Sequence, residues 1–197
     1  HGIVRSAMRD YKTAETDLDR VIEWNHMYEP AYVGQAEVQL KLYEQYSGPT
    51  MQMRTLEKAI DKCTVALDLN PQSTDALFSR SKAYAYQKEY AKAIDDISRC
   101  MALGRTDKAV FHQRALYYSG YGQHQNAVND LNKILVENPK DVPVLLLRAQ
   151  CKEENLDMEG ALKDLEIAQK AMVGDATYGQ EDKKKIDEAR TRIAHEV

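Results

Sequence analysis

The chain has 197 residues, of which 43% are apolar and 29% are charged, and its formal net charge at pH 7 is −4. Its longest apolar run, residues 142–147, is interrupted by Pro143 and is far shorter than the ~20 residues that a membrane-spanning helix needs. A net negative charge gives no attraction to a phosphate backbone. The composition therefore predicts a soluble protein with no membrane insertion and no nucleic-acid partner.

The chain repeats itself at an interval of 34 residues. One column at this spacing contains only alanine and another contains only small side chains: Ala59, Ala93, Ala127 and Ala161 in the first, and Ser81, Ala115 and Ala149 in the second. Apolar columns follow the alanine at i+4 and i+7, the spacing of one helical face. Small residues let two helices approach to ~8 Å, and Pro71 and Pro139 end two units at equivalent positions. The repeated unit is therefore predicted to be an antiparallel pair of helices.

Residues 1–28 are predicted to be a partial first repeat. Ala14 matches the alanine column in kind, and the same register places Gly2 in the small-residue column of a first helix. That helix would begin before His1, so Ile3 and its neighbours would lack the cover that a preceding repeat normally supplies. We expect the chain to be a fragment of a larger multidomain protein or a chain trimmed at this end.

Residues 29–73 are predicted to form a repeat with an insertion. Ala36 and Ser81 are 45 residues apart instead of 34, which places 11 extra residues after Ala36. Gly48 and Pro49 favour a turn there, whereas the flanking residues favour helices. Both helices should therefore lengthen, so that their tip projects ~8 Å beyond its neighbours at 1.5 Å per residue. The tip is either a surface elaboration or a second binding site.

Residues 74–107, 108–141 and 142–175 are predicted to form three further repeats. Residues 76–103, ALFSRSKAYAYQKEYAKAIDDISRCMAL, show the pattern best. The pattern resembles the tetratricopeptide repeat family, whose 34-residue units have a small residue in the first helix, an alanine early in the second and a proline at the exit. Tyr84, Tyr90 and Tyr118 stand at the family's aromatic places, and Gly122 stands in a turn. The chain departs from the pattern at several places: Arg105 at an exit proline, Lys152 at a first-helix tyrosine, and Tyr32, Leu77, Phe111 and Leu145 at the tryptophan place.

The resemblance implies an all-α fold, a right-handed superhelical solenoid of antiparallel helix pairs. Residues 180–197 have Ile186, Ala189 and Ile193 on one helical face and abundant charge elsewhere. This pattern predicts a C-terminal capping helix that covers the last repeat.

The resemblance also implies where a partner binds. In this family the first helices line the concave side, and the residue after the aromatic place faces inward. The predicted peptide-binding groove contains eight residues: Val33, Glu37, Phe78, Lys82, His112, Leu116, Leu146 and Gln150. These residues are mostly apolar, which suits a peptide or helix of another protein, although they could instead pack between successive first helices. We interpret the chain as a protein–protein interaction scaffold, with a co-chaperone or client-holding array that binds exposed apolar segments as the alternative.

One subtype of the family grips the C-terminal carboxylate of heat-shock chaperones with lysines, asparagines and an arginine. The equivalent places here hold Val33, Glu37, Ser79, Ala109 and Gln113 in one window, and Phe78, Lys82, Gln113, Pro143 and Leu147 in the next. Lys82 is the only cation among them. Because a desolvated carboxylate needs several charged or amide donors, a chaperone C-terminal tail is not expected as the partner.

The sequence contains no catalytic motif, since GxxxxGK[ST], HExxH and GxSxG are all missing. Three cysteines, Cys63, Cys100 and Cys151, lack metal-site spacing and are interpreted as reduced core residues, which favours a cytoplasmic location. We therefore expect no enzyme activity, no cofactor and no metal. An enzyme is the second hypothesis, with acid–base pairs drawn from four scattered residues: Asp107, His112, His124 and Asp130.

One column of acidic residues also recurs in register: Asp17, Asp96, Asp130 and Asp164. An acidic stripe of this kind could attract a basic partner. The column lies on the second helix of each pair, away from the concave side, so a solvated or repeat-linking role is favoured.

Overall fold

The computed structural model describes residues 10–173 and 177–194, and in these ranges it contains ten α-helices and no β-strand. The helices are α1 (Tyr11–Trp24), α2 (Glu29–Gln45), α3 (Pro49–Leu69), α4 (Thr74–Tyr86), α5 (Tyr90–Ala102), α6 (Lys108–Gly120), α7 (His124–Glu137), α8 (Val142–Glu154), α9 (Met158–Ala171) and α10 (Gln180–Ala194). The prediction of an all-α fold is confirmed. The predictions for Gly2, Ile3 and the rest of residues 1–9 lie outside the described residues, as do those for 174–176 and 195–197.

The helices are arranged in antiparallel pairs. α2 packs against α3, α4 against α5, α6 against α7, and α8 against α9. In each of the last three pairs, a three-residue loop joins the first helix to the second. The middle residue of this loop has a positive φ, which is 61° at Lys88, 80° at Gly122 and 62° at Leu156. This left-handed residue turns the chain back on itself at the end of each of these three first helices. None of the described helices is both long enough and apolar enough to cross a membrane.

The first helices of three pairs begin at a recurring cap. Ser73 accepts a hydrogen bond from the Ala76 amide, Asp107 from the Ala109 and Val110 amides, and Asp141 from the Val144 amide. Side-chain oxygens at this position satisfy amides that have no partner inside the helix. Because the three caps are 34 residues apart, the helix starts follow the sequence repeat.

The small-residue columns lie where paired helices cross. Ala59, Ala93, Ala127 and Ala161 are fully buried, and the small residues of the first helices are also buried, with Ser81 and Ala115 at 0% exposure. A larger side chain at these positions would push the two helices apart. The interpretation of these columns as helix–helix contacts is confirmed.

The insertion lengthens both helices of its pair. α2 has 17 residues, four more than the 13 of α6, and α3 has 21 residues, seven more than the 14 of α7. Together these additional residues equal the 11 residues by which the sequence departs from its repeat. The added length lies on both sides of Ser47 and Gly48, which form the turn.

The chain divides into two compact units, His1–Thr106 and Asp107–Val197. In the second unit the predicted apolar face of α10 is buried: Ile186 and Ile193 join the core with Leu165 and Met172, and Ala189 packs against it. α10 therefore covers apolar surface that α8 and α9 would otherwise expose to water.

Candidate partner-binding surfaces

Four of the predicted groove residues lie in the first unit, on α2 and α4, which are in contact. Val33 is 7% exposed and belongs to a core cluster with Leu77 and Cys100. Phe78 packs on this cluster but keeps part of its ring in solvent. Val33 therefore supports Phe78 from below and offers little surface of its own.

Two cations flank the ring of Phe78. The ammonium nitrogen of Lys82 lies 4.4 Å from the ring centroid, and the guanidinium carbon of Arg105 lies 4.3 Å from it. Arg105 also donates a 2.8 Å hydrogen bond to the Asp75 carboxylate, which holds the guanidinium in place. Cations at this distance are attracted to the face of an aromatic ring. We name Glu37, Phe78, Lys82 and Arg105 the Phe78 surface.

The structure therefore adds Arg105 to the predicted groove residues. The sequence showed Arg105 only as a departure at the exit-proline position, and its distance of 27 residues from Phe78 gave no signal of contact. Lys82 is the one cation at the clamp positions, but this surface has a second cation, since Arg105 approaches the same ring from the end of its repeat.

Glu37 and Lys82 carry opposite charges in partly desolvated surroundings. Burial raises the pKa of Glu37, while the nearby charge of Lys82 opposes this shift and that of Asp75 adds to it. Burial also lowers the pKa of Lys82, with Lys41 contributing and Glu37 opposing. No hydrogen bond or ion pair joins either group to another described residue. Both groups therefore remain available to a ligand.

The other four predicted groove residues lie in the second unit. His112 and Leu116 are on α6, and Leu116 is 38% exposed although it is apolar. Leu146 on α8 is half-buried against the core, whereas Gln150, one turn later, is exposed. Leu146 and Gln150 also line a cavity between α8 and α10.

His112 lies beside an ion pair. Lys108 donates to the Asp141 carboxylate, and both groups act on the imidazole. Burial lowers the pKa of His112, Lys108 lowers it further, and Asp141 opposes the shift. The imidazole is therefore neutral at pH 7, and it presents a hydrogen-bonding ring rather than a charge.

The acidic column links helices and does not form a stripe for a basic partner. Asp96, Asp130 and Asp164 are buried, and each accepts two hydrogen bonds from an arginine 16 residues earlier, at 2.6–2.8 Å. The arginines are Arg80, Arg114 and Arg148. The acidic-stripe interpretation is wrong for these three residues, because their carboxylates are buried and paired with arginines inside the fold.

Arg80 and Arg148 also reach the preceding pair. Arg80 donates to Thr64 at 3.2 Å, and Arg148 donates to Asn132 at 2.6 Å. Each of these partners lies 16 residues before its arginine. The arginine column was present in the sequence at the 34-residue interval, so the repeat-linking contact was predictable from the positions of the charges.

Lys152 explains one departure from the family pattern. In two earlier repeats the arginine lies near a tyrosine ring, with Arg80 5.8 Å from Tyr84 and Arg114 5.5 Å from Tyr118. Lys152 occupies this tyrosine place in the last repeat, and it forms a 2.9 Å ion pair with Asp164. Asp164 is therefore paired with two cations, Arg148 and Lys152, and the last repeat has a lysine where the earlier repeats have an aromatic ring.

Two of the four residues considered for catalysis have structural partners, whereas the Nδ1 atom of His124 is buried and makes no hydrogen bond to another described residue. Asp130 is paired with Arg114, and Asp107 caps α6. Cys63, Cys100 and Cys151 are buried core residues, as predicted, and burial raises the pKa of the Cys63 thiol to about 12. Within residues 10–173 and 177–194, no group of three His, Cys, Asp or Glu side chains could hold a metal ion.

Comparison with known proteins gives partial relatives. No family model matches the chain. The chain is 36% identical over 70 residues to the heat-shock protein cognate co-chaperone sgt12 of Aspergillus fumigatus, a match that covers 36% of this chain and 20% of that protein. It is 24% identical over 131 residues to the DnaJ homolog subfamily C member 3 homolog of Dictyostelium discoideum, covering 58% and 26%. The chain thus spans about a fifth to a quarter of the length of these curated relatives.

Solved structures share the arrangement of helices over most of the chain. PilW, described as a type IV pilus biogenesis factor, superposes with a TM-score of 0.76 at 17% identity and covers 99% of this chain and 86% of that one. YrrB, described as a TPR protein with an unusual peptide-binding site, superposes with a TM-score of 0.65 at 16% identity, covering 89% and 91%. At these identities the likeness concerns the fold alone.

Proposed function

The chain has the tetratricopeptide-repeat fold, and from this premise we propose that it is a protein–protein interaction scaffold that binds a peptide or helix of a partner protein. Several side chains on the first helices are left out of the core between paired helices, and they carry mixed apolar and charged groups. YrrB has a peptide-binding site by its own description, and this supports the same use of the fold here. The chain has neither a catalytic motif nor a described metal cluster that would favour another class of function.

The Phe78 surface is the observation that carries this proposal. Its aromatic ring is partly exposed, rests on a buried cluster that contains Val33, and has the cations Lys82 and Arg105 at 4.4 and 4.3 Å from its centroid. An aromatic side chain held by such contacts loses little conformational freedom when a ligand binds. Aromatic and arginine side chains also dominate the binding energy of many interfaces. The surface is therefore built as an anchor point.

The chemistry of the surface defines the partner segment. Lys82 and Arg105 both lie against the ring of Phe78, so a ligand can contact the exposed part of the ring and the aliphatic parts of the two cations. Apolar side chains from an extended strand or an amphipathic helix suit these contacts. Because Arg105 already binds Asp75, Lys82 remains the cation on this surface for a ligand carboxylate. A chaperone tail that ends in acidic residues should therefore bind weakly.

Leu116 gives the second unit a separate apolar contact. It is 38% exposed on α6, whereas its neighbours Ala115 and Tyr117 are buried. We propose that Leu116, with Leu146 and Gln150 on α8, contacts the same class of segment. His112 adds a neutral hydrogen-bonding group on this face of α6.

A co-chaperone or client-holding role is the second candidate. It is favoured by the names of the two curated relatives, a co-chaperone and a DnaJ homolog. An apolar surface edged with charges also suits unfolded chains, which expose similar segments. A client-holding array suppresses the aggregation of a heat-denatured test protein at stoichiometric concentration, whereas a scaffold for one peptide does not. An aggregation assay therefore separates the two candidates.

The scaffold proposal is tested by selecting a ligand and truncating the anchor. A displayed library of short random peptides is selected on the wild-type chain, and the best binder is titrated by calorimetry against Phe78→Ala and Lys82→Ala. Truncating an aromatic anchor commonly costs more than about 1.4 kcal/mol, so Phe78→Ala should weaken binding about tenfold or more. Lys82→Ala should have the smaller effect.

Tyr121→Ala is the matched control, because Tyr121 is an exposed aromatic residue in a loop and lies off the predicted groove. It should bind like wild type. Equal affinity of Phe78→Ala and wild type, with both variants folded by circular dichroism, would place the site elsewhere, and the tip of α2 and α3 would be tested next. Strong binding of an acidic chaperone tail would contradict the argument from the clamp positions.

A further inference from the structure

The second unit contains a cavity between α8 and α10 that lies beside two of the predicted groove residues. Its volume is about 240 Å³. Its walls are mostly aliphatic and come from both sides: Leu146, Ala149, Leu165, Ile186, Ala189 and Ile193. Four polar side chains complete it, namely Gln150, Glu153, Lys185 and Arg192. The cavity is therefore an apolar chamber with a polar rim.

We propose that this cavity binds one aromatic side chain with a polar edge, tryptophan above all, from a partner segment that carries an acidic residue beside it. The inference rests on the proposed function, since its occupant belongs to a partner protein. It goes further by naming a specificity pocket on α8 and α10, away from the Phe78 surface.

The volume matches a single ring system. Cavities of about 150 Å³ lined by leucine, isoleucine and phenylalanine bind benzene, and pockets for drug-sized ligands begin at about 300 Å³. A cavity of about 240 Å³ lies between these values. It therefore has room for a bicyclic ring such as indole but not for a whole peptide segment.

The polar rim favours a ring with a hydrogen-bond donor. Gln150 is exposed at the mouth, and its amide makes no hydrogen bond to another described residue. Its carbonyl oxygen can accept the indole N–H, a donor that usually finds a partner when the ring is buried. A purely aliphatic side chain could not use this acceptor.

The rim charges favour a neighbouring carboxylate. Arg192 donates two hydrogen bonds to Glu153, at 2.9 and 2.8 Å, and this pair ties α10 to α8. Lys185 is paired only along its own helix with Glu181, at 3.1 Å, and both side chains are largely exposed. Such exposed pairs contribute little and exchange readily. Lys185 can therefore exchange Glu181 for a carboxylate of the ligand, whereas Arg192 is held by Glu153.

The test uses three small probes and the complete chain. Indole, indole-3-acetate and tryptamine are titrated into the isotope-labelled protein, and methyl and amide resonances are followed. We expect saturable shifts at the cavity residues, with a dissociation constant on the order of 1 mM for indole. The anion indole-3-acetate should bind at least about threefold more tightly than the cation tryptamine, because its carboxylate can pair with the exposed ammonium of Lys185.

Ala189→Leu fills the cavity and Ala194→Leu is its matched control, since Ala194 is exposed on the same helix. The first variant should weaken indole binding at least about tenfold and raise the melting temperature, because its added carbons occupy empty apolar space. The control should change neither quantity. Since the filled variant is expected to gain stability, loss of binding would not be due to unfolding.

Three results would overturn the inference. They are the lack of saturable shifts with indole, unchanged indole binding by Ala189→Leu, and tighter binding of tryptamine than of indole-3-acetate. The selected peptide ligand separates this inference from the proposed function. If Phe78→Ala weakens that peptide while indole does not bind, the scaffold stands and the pocket fails. If indole binds but Phe78→Ala has no effect, the pocket stands and the Phe78 surface fails.

Discussion

At the residue scale, the arginine–aspartate pairs hold helices in register at a cost in desolvation. The side chains of Arg80 and Asp96 are only 17% and 5% exposed, and the guanidinium grips the carboxylate with two hydrogen bonds. A buried ion pair of this kind gives little net stability over an apolar pair of the same size, but removing one partner leaves a buried charge uncompensated. Orientation is therefore its main contribution, and single substitutions should be costly.

Asp96→Ala tests this argument. It leaves Arg80 without its carboxylate, and we expect the free energy of unfolding to fall by about 3 kcal/mol, the lower end of the range for broken buried pairs, because Arg80 retains some solvent contact. The neighbouring residue Asp95 is exposed on the same helix, and Asp95→Ala should change stability by less than about 0.5 kcal/mol. Urea unfolding measures both variants. Equal midpoints would show that the pair does not stabilise the fold.

His112 predicts a pH dependence of stability. Burial and Lys108 lower its pKa in the folded protein, whereas the unfolded chain has an ordinary value of about 6.5. As pH falls through about 6.5, the unfolded chain binds a proton that the folded protein resists binding, so stability is lost on acidification. His112→Gln keeps a polar side chain and removes this titration. Unfolding in urea at about pH 7.5 and about pH 5.5 should show a smaller loss of stability in the variant; the same loss in both proteins would assign it to other groups.

At the element scale, the extension of α2 and α3 is held by few contacts. The rings of Tyr43 and Tyr86 lie 4.4 Å apart, and the Gln52 amide donates 2.7 Å to the Tyr46 carbonyl. Met51 and Met53 are 43% and 50% exposed. Tyr43 also packs against the core of this pair, which includes Leu40 and Leu56. The extension therefore adds mainly length, and Tyr43 is its contribution to the core.

Deletion of residues 43–53 should leave the fold intact. It restores the 34-residue register and leaves a three-residue loop, in which Arg54 takes the position of Lys88 and Gly122. That position has a positive φ in three loops, so Arg54→Gly belongs in the deletion variant because glycine adopts this conformation without strain. Circular dichroism should keep the helical spectrum and a cooperative melt. Loss of cooperative unfolding would show that the extension is part of the core.

The helices were predictable because several local signals recur at one interval. Cap residues, small residues and exit prolines all follow the 34-residue spacing, and each acts within its own helix pair. Arg105 was not predictable, because its contact with Phe78 depends on where the end of one repeat lies in three dimensions. Val33 was predicted to line a groove, but the structure buries it, since inward-facing positions near a helix start also face the next helix. The cavity beside Leu146 depends on the docking of α10, which follows no repeat. The assignment of groove residues thus remains a prediction.

At the scale of the whole molecule, the chain consists of two compact units, and the second has a continuous core. Residues from α6 to α10 contribute to one buried cluster, from Ala115 to Ile193. Each helix pair of a repeat protein contacts mainly its neighbours, so stability is a sum of pair and interface contributions, and a terminal helix is needed to cover the last apolar face. This unit has such a helix, which makes it a candidate for independent folding.

We predict that residues 107–197 fold alone and that residues 107–173 do not form a stable fold. Ile186 and Ile193 are 1% and 0% exposed, and burial of each such side chain contributes about 1.5–3 kcal/mol. Removal of α10 also exposes Leu165 and Met172, which lie in the same cluster. The longer fragment should melt cooperatively by circular dichroism, and the shorter one should lose this transition or melt far lower. Ile186→Asp in the longer fragment should reproduce the loss, whereas Lys184→Asp, at an exposed position of the same helix, should not. If both fragments melt alike, α10 does not stabilise this core. In that case α10 is not firmly docked, and the cavity that it forms with α8 is not a fixed feature of the fold.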